Sequence, residues 1–223
     1  MISVTSSSAL SFWKGRKMMY EYENRLLKEG YHYIAGCDEV GRGPLAGPLV
    51  AAAVVLDPDI VIEGLDDSKK LSDKKRQILA KRIREHALVY KVVFIDNEDV
   101  DRLNVYKASQ KAMTDAVNAL GKIEYVLSDA LPLPALECPV ISIIKGDSKS
   151  ASIAAASILA KVERDAYMMD LGKTYPAYGF ETHKGYPTKA HLAALEKFGI
   201  TPHHRKTYAP VKKLIEKQMS LNI

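Results

Sequence analysis

Cysteine is scarce: the 223 residues hold two, Cys37 and Cys138. Two thiols so far apart in the chain suit a reducing cytosol and read as small apolar core residues. They also leave His183, His203 and His204 without the Cys and His spacing of a zinc site. Long hydrophobic runs are missing too. The longest, residues 44–56, contains Pro44 and Pro48 and falls short of the roughly 18 uncharged residues a membrane span needs. Residues 1–10 carry no basic stretch ahead of an apolar one, so no secretory signal is expected and the expected location is the cytoplasm. No internal repeat or low-complexity block is visible. Gly41 and Gly43 followed by Gly47 miss the dinucleotide-binding spacing by one position, and no Walker lysine follows. That weakens any reading as a nucleotide-binding oxidoreductase.

What the chain does have is enough apolar content, 47%, for one full-sized domain with a real core. Its net charge of +5 is unevenly placed. Residues 1–144 carry 19 Lys+Arg against 20 Asp+Glu, whereas residues 145–223 carry 13 against 7. A basic last third favours a polyanionic partner, although lysine-rich helices also serve solubility.

The apolar spacing predicts alternating strands and helices. Helices are expected over 19–29, closed by Gly30, and over 72–86, with Ile78, Leu79 and Ile83 facing inward. Further helices are expected over 104–120, over about 150–171 with Ser148 or Ser150 as cap, from Thr188 to Gly199, and from about Pro210. Strands are expected over 31–37, 48–56, 88–95, 123–128 and 140–144. Such alternation points to an α/β domain with a central sheet. The basic helical part from about residue 172 is placed to form one wall of a cleft.

The chemistry centres on Asp38-Glu39. Two carboxylates end an apolar run, and the turn Gly41-Arg42-Gly43 follows. Carboxylates against a core need neutralising, and a hard divalent cation is the usual solution. Asp129 and Asp147 also fall at the downstream ends of expected strands, where ligands gather in open α/β sheets. If those strands are neighbours, four like charges converge and repel unless cations sit among them. Two cations about 4 Å apart are the recurrent arrangement for phosphodiester hydrolysis. Any one of these acids taken alone reads equally as a turn former or a helix cap, Asp147 especially.

At this point the residues match a family. The runs Asp38-Glu-Val-Gly-Arg-Gly-Pro-Leu-Ala-Gly47, Asp67-Ser-Lys-Lys-Leu-Ser72, Lys145-Gly-Asp147, Ile153-Ala-Ala-Ala-Ser-Ile158, Ala160-Lys-Val162 and His183-Lys-Gly-Tyr186 resemble ribonuclease HII. The resemblance covers roughly residues 30–210. It implies a ribonuclease H-like fold, with a central five-stranded mixed sheet flanked by helices and a helical C-terminal extension. Residues 1–223 would form a single catalytic domain, with 1–30 as an N-terminal arm and helix and about 172–223 as the helical C-terminal part. The implied activity is cleavage of the RNA strand of RNA–DNA hybrids and incision 5′ of single ribonucleotides embedded in duplex DNA. Such cleavage leaves 3′-hydroxyl and 5′-phosphate ends and belongs to ribonucleotide excision repair.

By the same resemblance Asp38, Glu39, Asp129 and Asp147 are metal ligands for Mg²⁺ or Mn²⁺ in a two-metal site. Gly41, Arg42 and Gly43 look like the turn that reads the ribose 2′-hydroxyl at an RNA–DNA junction. Tyr186 looks like the aromatic that packs under the next deoxyribose, although an ordinary half-buried tyrosine has the same sequence signature. Lys69, Lys70, Lys145, Lys149, Lys184 and Arg205 are candidate phosphate contacts. Ala130 and Pro187 stand where glycine is common in the family, and Tyr208 replaces a common phenylalanine. The protein is expected to be monomeric. Gln218, Met219 and Leu221 loosely resemble a sliding-clamp peptide. The sister type, ribonuclease HIII, carries a separate N-terminal binding domain, for which too few residues precede Asp38. A non-catalytic hybrid-binding module is the alternative, opposed by four acids that would repel phosphates unless metal is bound.

Overall fold

The computed structural model describes residues 19–221; the expected N-terminal stretch 1–18 and the last two residues of the tail lie outside the described residues. The elements, in chain order, are α1 (Glu21–Lys28), β1 (Ile34–Val40), β2 (Leu49–Leu56), α2 (Asp73–His86), β3 (Ala87–Ile95), α3 (Asn97–Leu103) and α4 (Val105–Asn118). They continue with β4 (Tyr125–Asp129), β5 (Val140–Ile143), α5 (Ala151–Thr174), α6 (Phe180–His183), α7 (Lys189–Phe198) and α8 (Ala209–Leu221). The strands form one mixed five-stranded sheet in the order β3-β2-β1-β4-β5. β1 pairs antiparallel with β2, placing Asp38 opposite Ala52, and parallel with β4, placing Cys37 opposite Ser128. β4 in turn pairs parallel with β5.

β2 explains the two-sided core. All eight of its residues, Leu-Val-Ala-Ala-Ala-Val-Val-Leu, are buried. Alternate side chains of a strand point to opposite faces. Val50, Ala52 and Val54 meet α5 and Leu79, Ala80 and Ile83 of α2. Ala51, Ala53 and Val55 meet Ala112, Met113, Ala116 and Val117 of α4. Small residues dominate where α5 crosses the sheet. A methyl group built on Gly36 of β1 would lie 2.1 Å from the Ser152 carbonyl carbon and 2.3 Å from the Ile153 nitrogen.

Several boundaries differ from the sequence expectation. β1 runs on to Val40, so Asp38 and Glu39 lie inside the strand rather than past it. Ile78 is 53% exposed; Leu79, Ala80 and Ile83 form the inner stripe of α2. The helix expected over 104–120 is preceded by a separate short helix, α3. Asn104 separates the two at φ +67°, its side chain accepting from the Tyr106 and Lys107 amides. Ser150, not Ser148, caps α5 by accepting from Ile153 N, and the helix continues past Leu171 to Thr174. Thr188 caps α7 as expected. The short α6 had no periodic signal to reveal it.

The close approach of α5 to β1 predicts that Gly36→Ala destabilises the protein by roughly 3 kcal/mol, because the clash is with backbone and cannot be relieved by a rotamer change. Thermal or urea unfolding of the purified variant measures it; an unchanged midpoint would contradict the packing described.

Candidate active site

β1 delivers Asp38 and Glu39, β4 delivers Asp129 at its last residue, and a 3₁₀ turn over Gly146–Ser148 delivers Asp147 just before α5. β1 and β4 are parallel neighbours in the middle of the sheet, so the acids collect toward their C-terminal ends. The turn is tied to β4 by the Gly146 amide, which donates to Asp129 Oδ1 at 2.7 Å. Asp38 is 4% exposed and Asp147 6%. Asp38 Oδ1 accepts from the Glu39 amide at 2.7 Å. Ser157 of α5 also hydrogen-bonds the Asp38 carboxylate.

Burial, then the fields of Glu39 and Asp129, push the Asp38 carboxyl well above the usual carboxylate range. Burial raises Glu39 as well, opposed by the Arg42 guanidinium 3.4 Å away and reinforced by Asp129. Burial, then Asp67 and Asp129, lift Asp147 to about 6, against the pull of Lys69. Asp67 lies close enough to Asp147 for its charge to be the largest influence on that carboxyl after burial. Asp67 is an addition to the acids expected at the site. It lies in a loop rather than at a strand end, so the strand-end argument passed over it.

Among the described residues, no three His, Cys, Asp or Glu side chains converge tightly enough to hold a metal ion as they stand. The donor set nevertheless fits a hard divalent cation. It is all carboxylate oxygen, and Glu39 Oε2 is buried with no hydrogen-bond partner.

The turn beside the acids is held from below. Gly41, at φ +97°, packs against Arg164 Nε, which a methyl group would meet at 2.4 Å. Arg164 of α5 is fully buried, and it donates to the carbonyls of Pro48 (2.9 Å), Ala46 (3.3 Å) and Lys184 (3.0 Å). It therefore ties the Gly-Arg-Gly loop to the loop of Tyr186. A methyl group on Gly43 would touch the Tyr186 ring at 3.5 Å, so the structure brings these two together. Tyr186 is 39% exposed.

Arg205 is a correction. It is expected at a phosphate but is fully buried, donating twice to the Gly47 carbonyl and once to that of Arg42. The Tyr208 hydroxyl donates to the same Arg42 carbonyl, a bond that phenylalanine could not make. Arg164 and Arg205 thus place two guanidinium groups under the loop, facing carbonyls. Burial, then mutual repulsion, lowers Arg164 to about 10. A lone arginine in a helix that is otherwise apolar on that face was the only sequence sign of Arg164.

The lysines divide. Lys69 reaches the acids: partial burial works to lower its pKa, but Asp38, Asp67, Asp147 and Asp129 outweigh that and raise it. Lys70 pairs with Asp66 at 3.1 Å. Lys145 and Lys149 are exposed on either side of the 3₁₀ turn. Lys184 donates to the Glu181 carbonyl at 2.6 Å. Ala130, where the family commonly has glycine, adopts φ +55°, a left-handed conformation that costs an alanine roughly 1 kcal/mol.

A family profile described as Ribonuclease HII matches residues 35–211. The chain is 53% identical over 202 residues to the ribonuclease HII of Bacillus cytotoxicus, covering 90% of this chain and 78% of that protein. Among solved structures, the ribonuclease H2 of Pyrococcus horikoshii OT3 superposes with a TM-score of 0.71 at 28% identity, over 82% of this chain and 97% of that one. The ribonuclease HII solved in complex with PCNA from Archaeoglobus fulgidus has a TM-score of 0.69 at 28% identity, over 80% and 96%.

The electrostatics predict that, with metal chelated, Asp38→Asn stabilises the fold at neutral pH. A carboxyl whose native pKa lies above its unfolded value costs stability once the pH rises past the unfolded value. The gain should therefore disappear below about pH 4, where the carboxyl is protonated in both states. Thermal unfolding of both proteins in EDTA across pH checks the sign.

Proposed function

The chain belongs to the ribonuclease HII family, a metal-dependent ribonuclease that cleaves the RNA strand of RNA–DNA hybrids, and from there we propose that it also incises duplex DNA 5′ of a single embedded ribonucleotide. The observation that carries this is the meeting of Gly43 with the ring of Tyr186, in a turn whose Arg42 lies 3.4 Å from Glu39. A flat ring next to a bare backbone makes a slot that a deoxyribose can occupy and a 2′-hydroxyl would crowd. The backbone of Gly41, Arg42 and Gly43 supplies polar groups that recognise the ribose on the other side of the junction.

Asp38, Glu39, Asp129 and Asp147 would hold Mg²⁺ or Mn²⁺ in a two-metal site. When bound, such ions supply the Lewis acidity that phosphodiester hydrolysis requires at neutral pH. Ser157 holds the Asp38 carboxylate in place, and the Gly146 amide holds that of Asp129. Arg164, Arg205 and Tyr208 fix the carbonyls of the recognition loop, so its backbone is arranged before substrate arrives. Lys69, Lys145 and Lys149 would meet phosphates, and Lys70 and Lys184 would exchange their present partners, Asp66 and the Glu181 carbonyl, for one. Cleavage leaves 3′-hydroxyl and 5′-phosphate ends, consistent with ribonucleotide excision repair, and the protein acts as a monomer. Among the described residues no helix is long and apolar enough to cross a membrane.

One Archaeoglobus neighbour is a complex with PCNA. In this chain, a clamp contact would use the exposed end of α8, where Gln218 lies and Met219 is 66% exposed.

The wild-type protein with Mg²⁺ is expected to nick a duplex containing one ribonucleotide; cutting of all-RNA strands alone would defeat the roles given to Arg42 and Tyr186. Asp129→Asn should lose activity on the order of a thousandfold while still binding the duplex, as gel shift will report. Deleting residues 217–223 should abolish pull-down by a sliding clamp without changing nicking of short duplexes.

A further inference from the structure

Behind Tyr186 lies a group of buried rings that the catalytic reading does not use. His191 and His204 are both fully buried, and His183 is 9% exposed. The His183 and His191 rings stack with centroids 4.5 Å apart, and Phe180 packs against all three histidines.

Hydrogen bonds settle where each proton sits. The Thr201 backbone N–H donates to His204 Nδ1 at 2.9 Å, so that nitrogen is the acceptor and the ring proton is on Nε2. His204 Nε2 lies 3.1 Å from His191 Nε2, which must therefore accept. The His191 proton is then on Nδ1, 3.0 Å from the Tyr186 carbonyl oxygen, which can only accept. Every donor faces an acceptor in the order Thr201, His204, His191, Tyr186. Burial, with help from the neighbouring His191, lowers His204 to about 4, so that ring is neutral near pH 7, and burial lowers His191 as well. His183 is fixed separately, with the Gly185 amide donating to its Nδ1 and its Nε2 donating to the Tyr178 carbonyl.

The chain ends where support is needed. Lys184 and Gly185, just before Tyr186, both have left-handed backbones, at φ +53° and +82°. Such a turn persists only when its surroundings over-determine it. The ring of Tyr186 is half exposed, so its place beside Gly43 depends on where its backbone is held. The Thr188 amide also donates to the Tyr186 carbonyl, at 2.8 Å, but Thr188 belongs to the same loop. His191 and His204 instead link that carbonyl to the 201–205 segment, which is itself bonded to the Gly-Arg-Gly loop through Leu45, Ala46 and Gly47.

We propose that His191 and His204 are positioning residues for junction recognition: a buried, proton-ordered pair that holds the Tyr186 carbonyl and so sets the ring against Gly43. The inference rests on the reading of Tyr186 as the deoxyribose-contacting group. It gives the histidines no contact with substrate and no part in proton transfer.

The test compares kcat/KM on a duplex with one ribonucleotide against a uniform RNA–DNA hybrid. His191→Leu is expected to lower the ratio of the first to the second about tenfold, the scale of one lost buried hydrogen bond. His191→Asn places an amide N–H where Nδ1–H was but has no atom to accept from His204 Nε2, so it should recover only part of the ratio; full recovery would overturn the role given to His204. Tyr186→Ala is the control. If it lowers the ratio and His191→Leu does not, or if His191→Leu lowers both substrates equally, the positioning role is wrong. If Tyr186→Ala leaves the ratio unchanged, the junction reading itself fails, and this inference with it. Nitrogen NMR of the wild-type rings is independent of how any variant folds. Protons on His204 Nε2 and His191 Nδ1 support the chain, and the opposite tautomers overturn it.

Discussion

Helix α5 lies so close to β1 that Gly36 has no room for a methyl group. Much of the site follows from that contact. The helix begins just after the turn that carries Asp147, and its cap Ser150 accepts from Ile153 N. Two turns on, Ser157 reaches Asp38. Two further turns on, Arg164 gathers the carbonyls of the Gly-Arg-Gly loop and the Tyr186 loop. Beyond that, Met168 and Leu171 pack with Tyr178 and Phe180, next to the histidines. One rigid rod thus sets the spacing between acids, recognition loop and aromatic, which is what a site needs to hold its geometry.

Charge is distributed against the usual preference for buried neutrality. Burial, then the fields of neighbouring acids, raises the pKa values of Asp38 and Asp147; burial lowers those of the two arginines beneath the loop, which meet carbonyls rather than carboxylates. Both arrangements cost stability when nothing is bound. Both are eased by the same visitors, cations at the carboxylates and a polyanion above the loop. That fits the metal-dependent ribonuclease family to which the chain belongs.

Much of this was legible beforehand, because it depends on local pattern. The uninterrupted apolar run of β2 marked a strand buried on both faces, and Ser150 and Thr188 marked helix starts. The acids stood out because carboxylates at the ends of apolar runs need a reason. What failed did so where locality fails. Ile78 fits a helical stripe, yet the stripe that meets the core is one position round. Asp67 sits in a loop with no periodicity to place it. Arg205 has the composition of a phosphate contact, but its direction was decided by segments far away in the chain.

By itself, then, the sequence determined the five strands and the longer helices in order, and marked the four acids and the glycine turn, since these follow from side-chain chemistry and short-range spacing. Only the tertiary structure decided that Arg205 points inward, that Asp67 joins Asp147, and that Gly43 meets Tyr186. The same is true of the ring nitrogens of His191 and His204, whose roles depend on donors and acceptors brought together from Tyr186, Thr201 and the helix between them. Hydrogen-bond direction belongs to a network rather than to a residue, and no short stretch of chain contains the network.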